Sequence, residues 1–551
     1  MTRVAAAQLA AGTDVAVNLE TCLRMIDAAA SVGVELLVLP EFCNHLSWYD
    51  NRSHARRMAC RTGDSFLTAI ARRAARHRMY LKIGVTLARP DGRTTGTGLL
   101  FGPDGTLLGE SDKQILMGAE NDHLDCGDTD SEVVDTALGR LGMYACMEGV
   151  VFEVARSLAV RGAQVLLNSL NSFATDEASL HIPVRAAENR VWVIAANKVG
   201  PLLPEDRLPD IAARLGVPAD RLHGAGESQI VAPDGVTVAK APPAGEALVV
   251  ADIDIARADD KTRTDGLDVL GARRPRVYAP LLTRSATRDT SATDTLHVAV
   301  TLPDSDLIAE TAAAGAQLIV LPELTAQARA HQLTVPTVAA ALDGTSSHAV
   351  LTVRDGNSHV GLLISADGVI GRQAQLHRSH RYTWLTELGS RVEVFDLPWG
   401  RIALVIGEDT LFPETFRLAA IQDADVVAVV NSPQEQWERR LGLTERAAEN
   451  RLNLVAAGLD STGGLTADVY ALSPDFTLWT AWQGPFTGLI SHPEVTSAPP
   501  GADRLHATVR PAQAVNRSVS RGTDLVAGRP RAATVSLTRE PATATTEPEL
   551  P

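Results

Sequence analysis

Short apolar runs alternate with amphipathic segments along the first 160 residues of the chain. The runs are rich in Val, Leu and Ile and predict buried strands at residues 4–9, 35–41 and 80–87. The segments between them place apolar side chains at helical spacing and predict helices at residues 18–32 and 65–77. Pro103-Asp-Gly105 lies between two further short strands and marks a hairpin. This alternation predicts an α/β fold.

The motifs of the first half recur in the same order in the second half. Leu36-Leu-Val-Leu-Pro-Glu41 returns as Leu318-Ile-Val-Leu-Pro-Glu323. Arg185-Ala-Ala-Glu-Asn-Arg190 returns without change as Arg446-Ala-Ala-Glu-Asn-Arg451, 261 residues later. Because the order is preserved, a whole domain has been duplicated. The residues between the copies are polar and aperiodic, and the end of the chain is rich in Thr, Pro and Glu. We therefore predict domains at 1–282 and 295–537, a linker at 283–294 and a disordered tail at 538–551.

Composition narrows the class of protein. A length of 551 residues is too great for one ordinary core and agrees with two domains. The net charge of −15 argues against nucleic acid or an anionic membrane as partner. No run of about 18 apolar residues and no signal core occurs, so we expect no membrane span. The five cysteines form no Cys-x-x-Cys pair and no disulfide framework, which favours a reducing, cytoplasmic location.

One cysteine stands where a predicted strand turns into a predicted helix. Leu141-Gly-Met-Tyr-Ala leads up to Cys146, and residues 151–161 have helical periodicity. A thiolate at such a turn is stabilised by the free N–H groups of the helix N-terminus, so Cys146 is a candidate nucleophile. The alternative is a small buried residue at a strand end. Cys43 is a rival nucleophile, but no helix start follows it.

Three features of the first half together resemble the nitrilase superfamily of carbon–nitrogen hydrolases. They are Glu41 after Leu-Pro, Lys113 after the Asp-Gly hairpin, and Cys146 at the strand–helix turn. The resemblance covers nearly all of each half. It implies two tandem αββα-sandwich domains, an α/β fold, packed as an intramolecular αββα–αββα pseudo-dimer. Further homo-oligomerisation is left open. It also implies a small-molecule amide or nitrile as the substrate.

The chemistry of these three side chains agrees with that resemblance. Glu41 is the candidate base that takes the thiol proton, and Lys113 can stabilise negative charge on the tetrahedral species. By the resemblance, Glu120 is a supporting carboxylate that orients the lysine and water. Glu148 has a structural role near the turn. Each carboxylate or lysine alone has a structural alternative, as a cap or a solvated charge. Trp48, Tyr49, His45 and His123 are candidate pocket residues, with ordinary packing as the alternative.

The second copy lacks two of the three groups. Gly407 stands at the position of Cys146, and Gln375 at that of Lys113. The chain has no Cys after Cys146 and no Lys after Lys261, so the second domain is predicted to be inactive. A cation from His377, Arg378 or His380 would find no nucleophile to activate.

We therefore predict a cofactor-free thiol hydrolase that acts on a non-peptide carbon–nitrogen bond, with an amide as the leading substrate. The tryptophan that nitrile-cleaving relatives often carry after the cysteine is Met147 here, which leaves a nitrilase open, as well as a ureido-group hydrolase. A glutaminase that feeds another chain and a silent binding or scaffold protein are the remaining alternatives. Neither a His-Glu-x-x-His motif nor a Rossmann fingerprint occurs, so no metal or cofactor is expected.

Overall fold

The protein has two similar α/β units, each built from two six-stranded sheets. A computed structural model describes residues 1–283, 292–323, 333–478 and 480–540. In both units the two sheets face each other and helices cover their outer faces. The predicted fold class of tandem αββα sandwiches is confirmed.

The first unit takes its sheets from distant parts of the sequence. One sheet has the spatial order Ala247–Ile253, Thr2–Gln8, Leu36–Val38, Tyr80–Ala88, Thr94–Phe101 and Leu107–Asp112. The other has the order Thr237–Lys240, Gln229–Val231, Trp192–Ala196, Val165–Ser169, Gly139–Ala145 and Val133–Thr136. Central strands are parallel and outer pairs are antiparallel. Their carboxyl ends therefore meet at one edge of the sandwich, where loops can bring together side chains that are far apart in sequence.

Two long helices of the first unit begin where an aspartate side chain caps free N–H groups. Asp14 accepts from Ala16 N and starts the helix Val15–Ser31, and Asp64 accepts from Leu67 N and starts Ser65–His77. Both helices cover the first sheet, and Glu153–Val160 and Ile182–Asn189 cover the second. The shorter helices are Arg52–Met58, Glu120–His123, Met147–Val150, Leu208–Leu215, the 3₁₀ turns Ala219–Leu222, Ile255–Asp259 and Ala279–Leu282, and the π-turn Glu177–His181. Val199–Pro201 and His223–Ala225 form a small ribbon.

The second unit repeats this arrangement. Its first sheet has the order Gly368–Ala374, Ser358–Ser365, His348–Asp355, Leu318–Val320, Leu296–Thr301 and Arg504–Val509. Its second sheet has the order Val394–Leu397, Gly400–Ile406, Val426–Val430, Asn453–Leu459, Leu465–Ala471 and Glu494–Ser497. The helical segments are Ser305–Ala313, Val335–Ala341, Gly407–Leu411, Pro413–Ile421, Glu438–Gly442, Leu443–Asn450, Pro511–Val515 and Arg531–Thr538. Ser518–Ser520 pairs with Thr523–Asp524.

Equivalent helices of the two units touch through reciprocal buried ion pairs. Arg156 Nε lies 3.1 Å from Glu414 Oε1, and Arg417 Nη1 lies 3.4 Å from Glu153 Oε1. Each pair joins the first turn of one helix to the second turn of its equivalent. The last helix, Arg531–Thr538, packs against Glu153–Val160 of the first unit. The units are thus held together by contacts that repeat with the sequence offset.

Two further expectations concern membrane spans and the residues at the linker and the tail. None of its helices combines the length and apolarity needed to cross a membrane. Linker residues 284–291 and tail residues 541–551 lie outside the described residues. The helix Arg531–Thr538 ends where the tail was predicted to start. The domain boundaries stay predictions.

Candidate active site

Cys146 occupies a sharp turn between the strand Gly139–Ala145 and the short helix Met147–Val150. Its φ is 48°, a left-handed conformation that costs a residue with a side chain about 1–3 kcal/mol. The turn is held because the Cys146 N–H donates to Ser169 O at 3.0 Å. The thiol is buried at the carboxyl edge of the parallel strands. The local sequence therefore presents one sulfur at the edge where the loops meet.

Two carboxylates hold an ammonium group beside this thiol. Lys113 Nζ lies 2.9 Å from Glu41 Oε1 and 2.8 Å and 3.0 Å from the two carboxylate oxygens of Glu120. Glu41 follows the strand Leu36–Val38, and Lys113 follows Leu107–Asp112, so both reach the site from strand ends. All three side chains are buried. Glu120 is also fixed by the backbone, since it accepts from Met117 N at 2.9 Å.

Burial and mutual charge set the protonation of this group. Burial raises the pKa of Glu41, and the ammonium of Lys113 opposes that rise. Burial disfavours the charge on Lys113, but Glu120 and Glu41 more than offset it, and the pKa of Lys113 is raised. Burial and the charge of Glu41 raise the pKa of the Cys146 thiol well above its usual value, against the attraction of Lys113. The sequence predicts a thiolate stabilised by the helix N-terminus, and that stays a prediction. The helix after Cys146 has four residues, and burial is the largest influence on the pKa of its thiol.

Glu148 joins the two segments that carry Cys146 and Lys113. Its carboxylate accepts from Gln114 N at 2.7 Å and from Ala145 N at 2.8 Å. Burial raises the pKa of Glu148 to about 7. The residue therefore fixes the spacing between the nucleophile and the lysine.

Cys146 opens onto two adjoining cavities. One, of about 70 Å³, is also lined by Glu177, His181 and four residues of the second unit, Leu478, Ile490, Ser491 and Val519. The other, of about 100 Å³, is lined by Trp48, Glu120 and leucines at 202, 203 and 222. Both are small and mostly apolar, which suits a small molecule.

A third cavity, of about 230 Å³, shares Trp48 with the second and lies nearer the surface beside His123. Two of the four proposed pocket aromatics therefore line cavities. The other two are packing residues: Tyr49 bonds Thr86 Oγ1 at 2.6 Å, and His45 Nδ1 lies 2.7 Å from Leu46 O.

Three buried ionisable residues near the site were not predicted from the sequence. Lys82 is buried, bonds Ser169 Oγ, and burial lowers its pKa to about 7. Lys198 is buried and donates to Phe42 O at 3.0 Å, and burial lowers its pKa to about 8. Glu177 lies on a π-turn beside Cys146, and burial raises its pKa to about 8. A lysine within an otherwise apolar strand, Tyr80-Leu-Lys-Ile, was the available signal for Lys82.

Cys43 is not placed to act as a nucleophile. Its Sγ donates to Pro40 O at 3.2 Å, and the side chain packs among apolar residues with Cys22 and Cys60, away from the cavities described above. Across the described ranges, no group of three or more His, Cys, Asp or Glu side chains could hold a metal ion.

The equivalent place in the second unit is filled by an ion network. Arg381 pairs with Glu323 at 2.9 Å and with Glu408 at 2.7 Å. Gly407, like Cys146, has a positive φ, of 55°, but a Cβ there would lie 2.3 Å from Gln375 Oε1. Arg381 therefore pairs with Glu323 in place of His377, Arg378 or His380, and His359 Nδ1 lies 3.9 Å from Glu323 Oε1. His377 instead bonds Asp409 at 2.8 Å and Tyr278 at 2.6 Å.

Comparison with known proteins matches both units. The carbon–nitrogen hydrolase family model matches residues 3–262 and 304–464. A nitrilase of Pyrococcus abyssi is 27% identical over 263 residues, which cover 47% of this chain and 92% of that protein. Omega-amidase NIT2 of Bos taurus is 28% identical over 268 residues, which cover 46% of this chain and 88% of that protein. The crystal structure of the C. elegans NitFhit protein aligns with a TM-score of 0.43 and 23% identity, covering 54% of this chain and 70% of that one.

Proposed function

This chain belongs to the carbon–nitrogen hydrolase family, enzymes that act on carbon–nitrogen bonds other than peptide bonds, and we propose that its first unit hydrolyses the amide bond of a small molecule. The observation that carries the proposal is the 2.9 Å ion pair of Lys113 with Glu41 beside the buried thiol of Cys146. The three groups supply a nucleophile, a base and a fixed positive charge.

The reaction begins when the amide carbon approaches the thiol. Glu41 takes the proton as sulfur attacks, because the raised pKa of Cys146 means that the free thiol does not ionise by itself. A carbon–sulfur bond forms, and the carbonyl π electrons move to oxygen. Lys113 and the backbone N–H of Met147 face the developing oxyanion. Losing one such donor costs about 3–4 kcal/mol of transition-state stabilisation.

The second stage releases the amine and restores the thiol. Protonated Glu41 gives its proton to the nitrogen as the carbon–nitrogen bond breaks, which leaves a thioester on Cys146. Glu41 then takes a proton from water, and the water oxygen attacks the thioester carbon. The carbon–sulfur bond breaks, the acid departs, and the proton returns to the sulfur. Glu120 keeps Lys113 in place through both stages, at 2.8 Å. No cofactor takes part in these steps.

The second unit acts as a built-in, catalytically silent partner in this proposal. It has Gly407 where a thiol is needed, and Arg381 fills the space beside Glu323. Leu478, Ile490 and Ser491 of that unit form part of the cavity wall at Cys146. The reciprocal ion pairs Arg156–Glu414 and Arg417–Glu153 support an intramolecular pseudo-dimer. Units bounded near 1–282 and 295–537 agree with this division of roles.

Trapping the acyl intermediate tests the nucleophile. We expect incubation with a panel of small amides, nitriles and carbamoyl compounds to add the acyl mass to one peptide, that containing Cys146. The matched control is Cys126→Ser, because Cys126 is exposed and would react with thiol reagents first. Cys146→Ser should abolish both the adduct and ammonia release, and Cys126→Ser neither. An adduct elsewhere, or turnover that survives Cys146→Ser, would refute the mechanism.

The same panel separates an amidase from a nitrilase. The similarity to a nitrilase of Pyrococcus abyssi makes a nitrile the second candidate substrate. Attack of Cys146 on a nitrile forms a thioimidate, which takes up water and loses ammonia to give the same thioester, so the adduct alone does not discriminate. Relative kcat/KM for an amide and its matching nitrile does, and we expect the amide to be preferred.

Separate production of the two units tests the role of the second. Residues 1–282 alone should be inactive, because part of the cavity wall is missing, and residues 295–551 added in trans should restore turnover. A fully active fragment of residues 1–282 would contradict the supporting role.

A further inference from the structure

The cavity at Cys146 has an acidic end. Asp176 and Glu177 line it, at the start of a π-turn that follows the strand Val165–Ser169. Both side chains are more than nine-tenths buried, with 1% and 4% of their surface exposed. Asp176 Oδ1 and Glu177 Oε2 have no hydrogen-bond partner within the described part of the chain. Buried oxygens of this kind are costly unless a partner reaches them, so their position points to a ligand.

His181, the positive charge named at this end, is already shared by two carboxylates, Asp176 and Glu445. Asp176 Oδ2 accepts from Ser491 N at 2.7 Å and from Ile490 N at 3.0 Å. Burial disfavours the ionised form of Asp176, but His181 and these two hydrogen bonds outweigh burial and lower the pKa of Asp176 to about 2. His181 lies 2.8 Å from Glu445, and its pKa is raised well above the usual value because Glu445 and Asp176 outweigh burial. The histidinium thus compensates a negative charge already present. An ionised Glu177 would add a second one.

Glu177 is accordingly mostly protonated at neutral pH. Burial, together with the charges of Asp176, Glu445 and Glu41, raises the pKa of Glu177 to about 8 against the opposing charge of His181. The remaining lining of the cavity is mostly apolar, with Met117, Val150 and Phe173 among its side chains. A ligand that brings a positive charge would therefore supply the missing countercharge.

The second unit offers an internal comparison. Glu438 begins the equivalent π-turn there. Its carboxylate is paired with Arg263 at 3.2 Å and accepts from Gln434 N at 3.1 Å and Glu435 N at 3.2 Å. The acid of the silent unit is satisfied within the protein, and the acid beside Cys146 is not.

We propose that Glu177 and Asp176 form a specificity subsite for a protonated amine at the end of the substrate away from the carbon that Cys146 attacks. This rests on the proposed amide hydrolysis and names the class of amide. Binding of the ammonium ionises Glu177 and releases its proton, so that the ligand's positive charge lies against the carboxylates of Glu177 and Asp176.

Calorimetry on the full chain carrying Cys146→Ser tests the subsite without turnover. The probes are 4-aminobutanamide and pentanamide, which differ by an ammonium in place of a methyl group. We expect the charged probe to bind roughly tenfold more tightly or better. At pH 7, its binding should release up to one proton, measured in buffers of different ionisation enthalpy. Pentanamide should release none.

When Glu177→Gln is added to the Cys146→Ser protein, both the preference for 4-aminobutanamide and the proton release should be abolished. Glutamine keeps the shape of the side chain and has no proton to lose. The matched control Glu205→Gln changes an exposed acid of the same unit and should alter neither. Equal binding of the probes, tighter binding of pentanamide, or a preference that survives Glu177→Gln would overturn the subsite. The proposed hydrolysis is tested separately, with the wild-type protein and the same two probes. If both are hydrolysed through a Cys146 adduct, the hydrolysis holds even when the subsite fails. If no adduct forms, the hydrolysis is contradicted and the binding result still decides the subsite.

Discussion

Glu445 of the second unit offers the sharpest test of how that unit supports the site. Its buried carboxylate bonds Arg185 with one oxygen and His181 with the other, at 2.8 Å for His181. Arg185 in turn donates to Gly149 O at 2.9 Å and to Val150 O at 3.2 Å, in the turn that follows Cys146. Glu445 of the second unit is thereby linked, through the guanidinium of Arg185, to the backbone that follows Cys146.

We expect Glu445→Gln to lower the free energy of unfolding by about 2–4 kcal/mol. Glutamine keeps a single acceptor oxygen, so one of the two charge-assisted bonds, each contributing about 1.5–3 kcal/mol, is lost and the other weakens. Breaking a buried pair completely would cost about 3–5 kcal/mol, but Arg185 retains Glu188 and Glu449, which limits the loss. The value of kcat/KM should fall as well, because the turn after Cys146 loosens.

Urea unfolding followed by tryptophan fluorescence, together with ammonia release, measures both effects. The matched control is Glu494→Gln, whose carboxylate is 56% exposed and pairs with Arg510 at 3.0 Å. That surface pair should contribute no more than about 0.5 kcal/mol. Equal shifts in the two variants would refute the reasoning.

The pH dependence supplies a second readout of the same change. His181 has a raised folded-state pKa, so its contribution is fully present below its usual pKa and is lost as pH rises through the raised value. In Glu445→Gln that loss should occur at lower pH.

Three further outcomes follow from the site. Lys113→Met should reduce kcat/KM by about 10²–10³-fold, because the fixed positive charge at the oxyanion is removed, with circular dichroism as the folding check. Since ionised Glu41 is the base and burial raises its pKa, the acid limb of the kcat/KM profile should lie above the usual carboxyl range, and activity should fall as pH drops through it. Gly407→Cys should destabilise the chain by about 1–3 kcal/mol in thermal unfolding, because its Cβ would meet Gln375 Oε1 at 2.3 Å, and in Cys146→Ser protein it should restore no activity.

The elements of the fold could be predicted because each follows from a local pattern. The helix predicted over 18–32 lies at Val15–Ser31 in the structure, and the earlier start reflects the cap made by Asp14. The duplication was visible because the Arg-Ala-Ala-Glu-Asn segment is unchanged in both units. Periodicity and repeats can be recognised in the sequence itself, without knowledge of tertiary contacts.

The chemistry of the site was harder to predict because it depends on distant contacts. Arg381 was not singled out as the residue beside Glu323, since no local feature distinguishes it from Arg378. Glu177 was not singled out either, because its raised pKa comes from burial and from Asp176 and Glu445. The protonation of Cys146 also depends on distant contacts: its position before a helix is local, whereas the burial that raises its pKa is a property of the whole fold.

The turn at Cys146 survives in the unit that has lost the thiol, and its contacts explain why. Glu148 accepts from Gln114 N and Ala145 N, and Asp409 accepts from Leu376 N and His377 N at 2.9 Å and 2.8 Å. In both units an acid two residues past the turn therefore ties it to the adjacent strand end. The helices that leave the two turns carry the reciprocal pairs between the units. Moving either turn would displace those pairs, so the backbone of the nucleophile site is needed for packing even where no nucleophile remains.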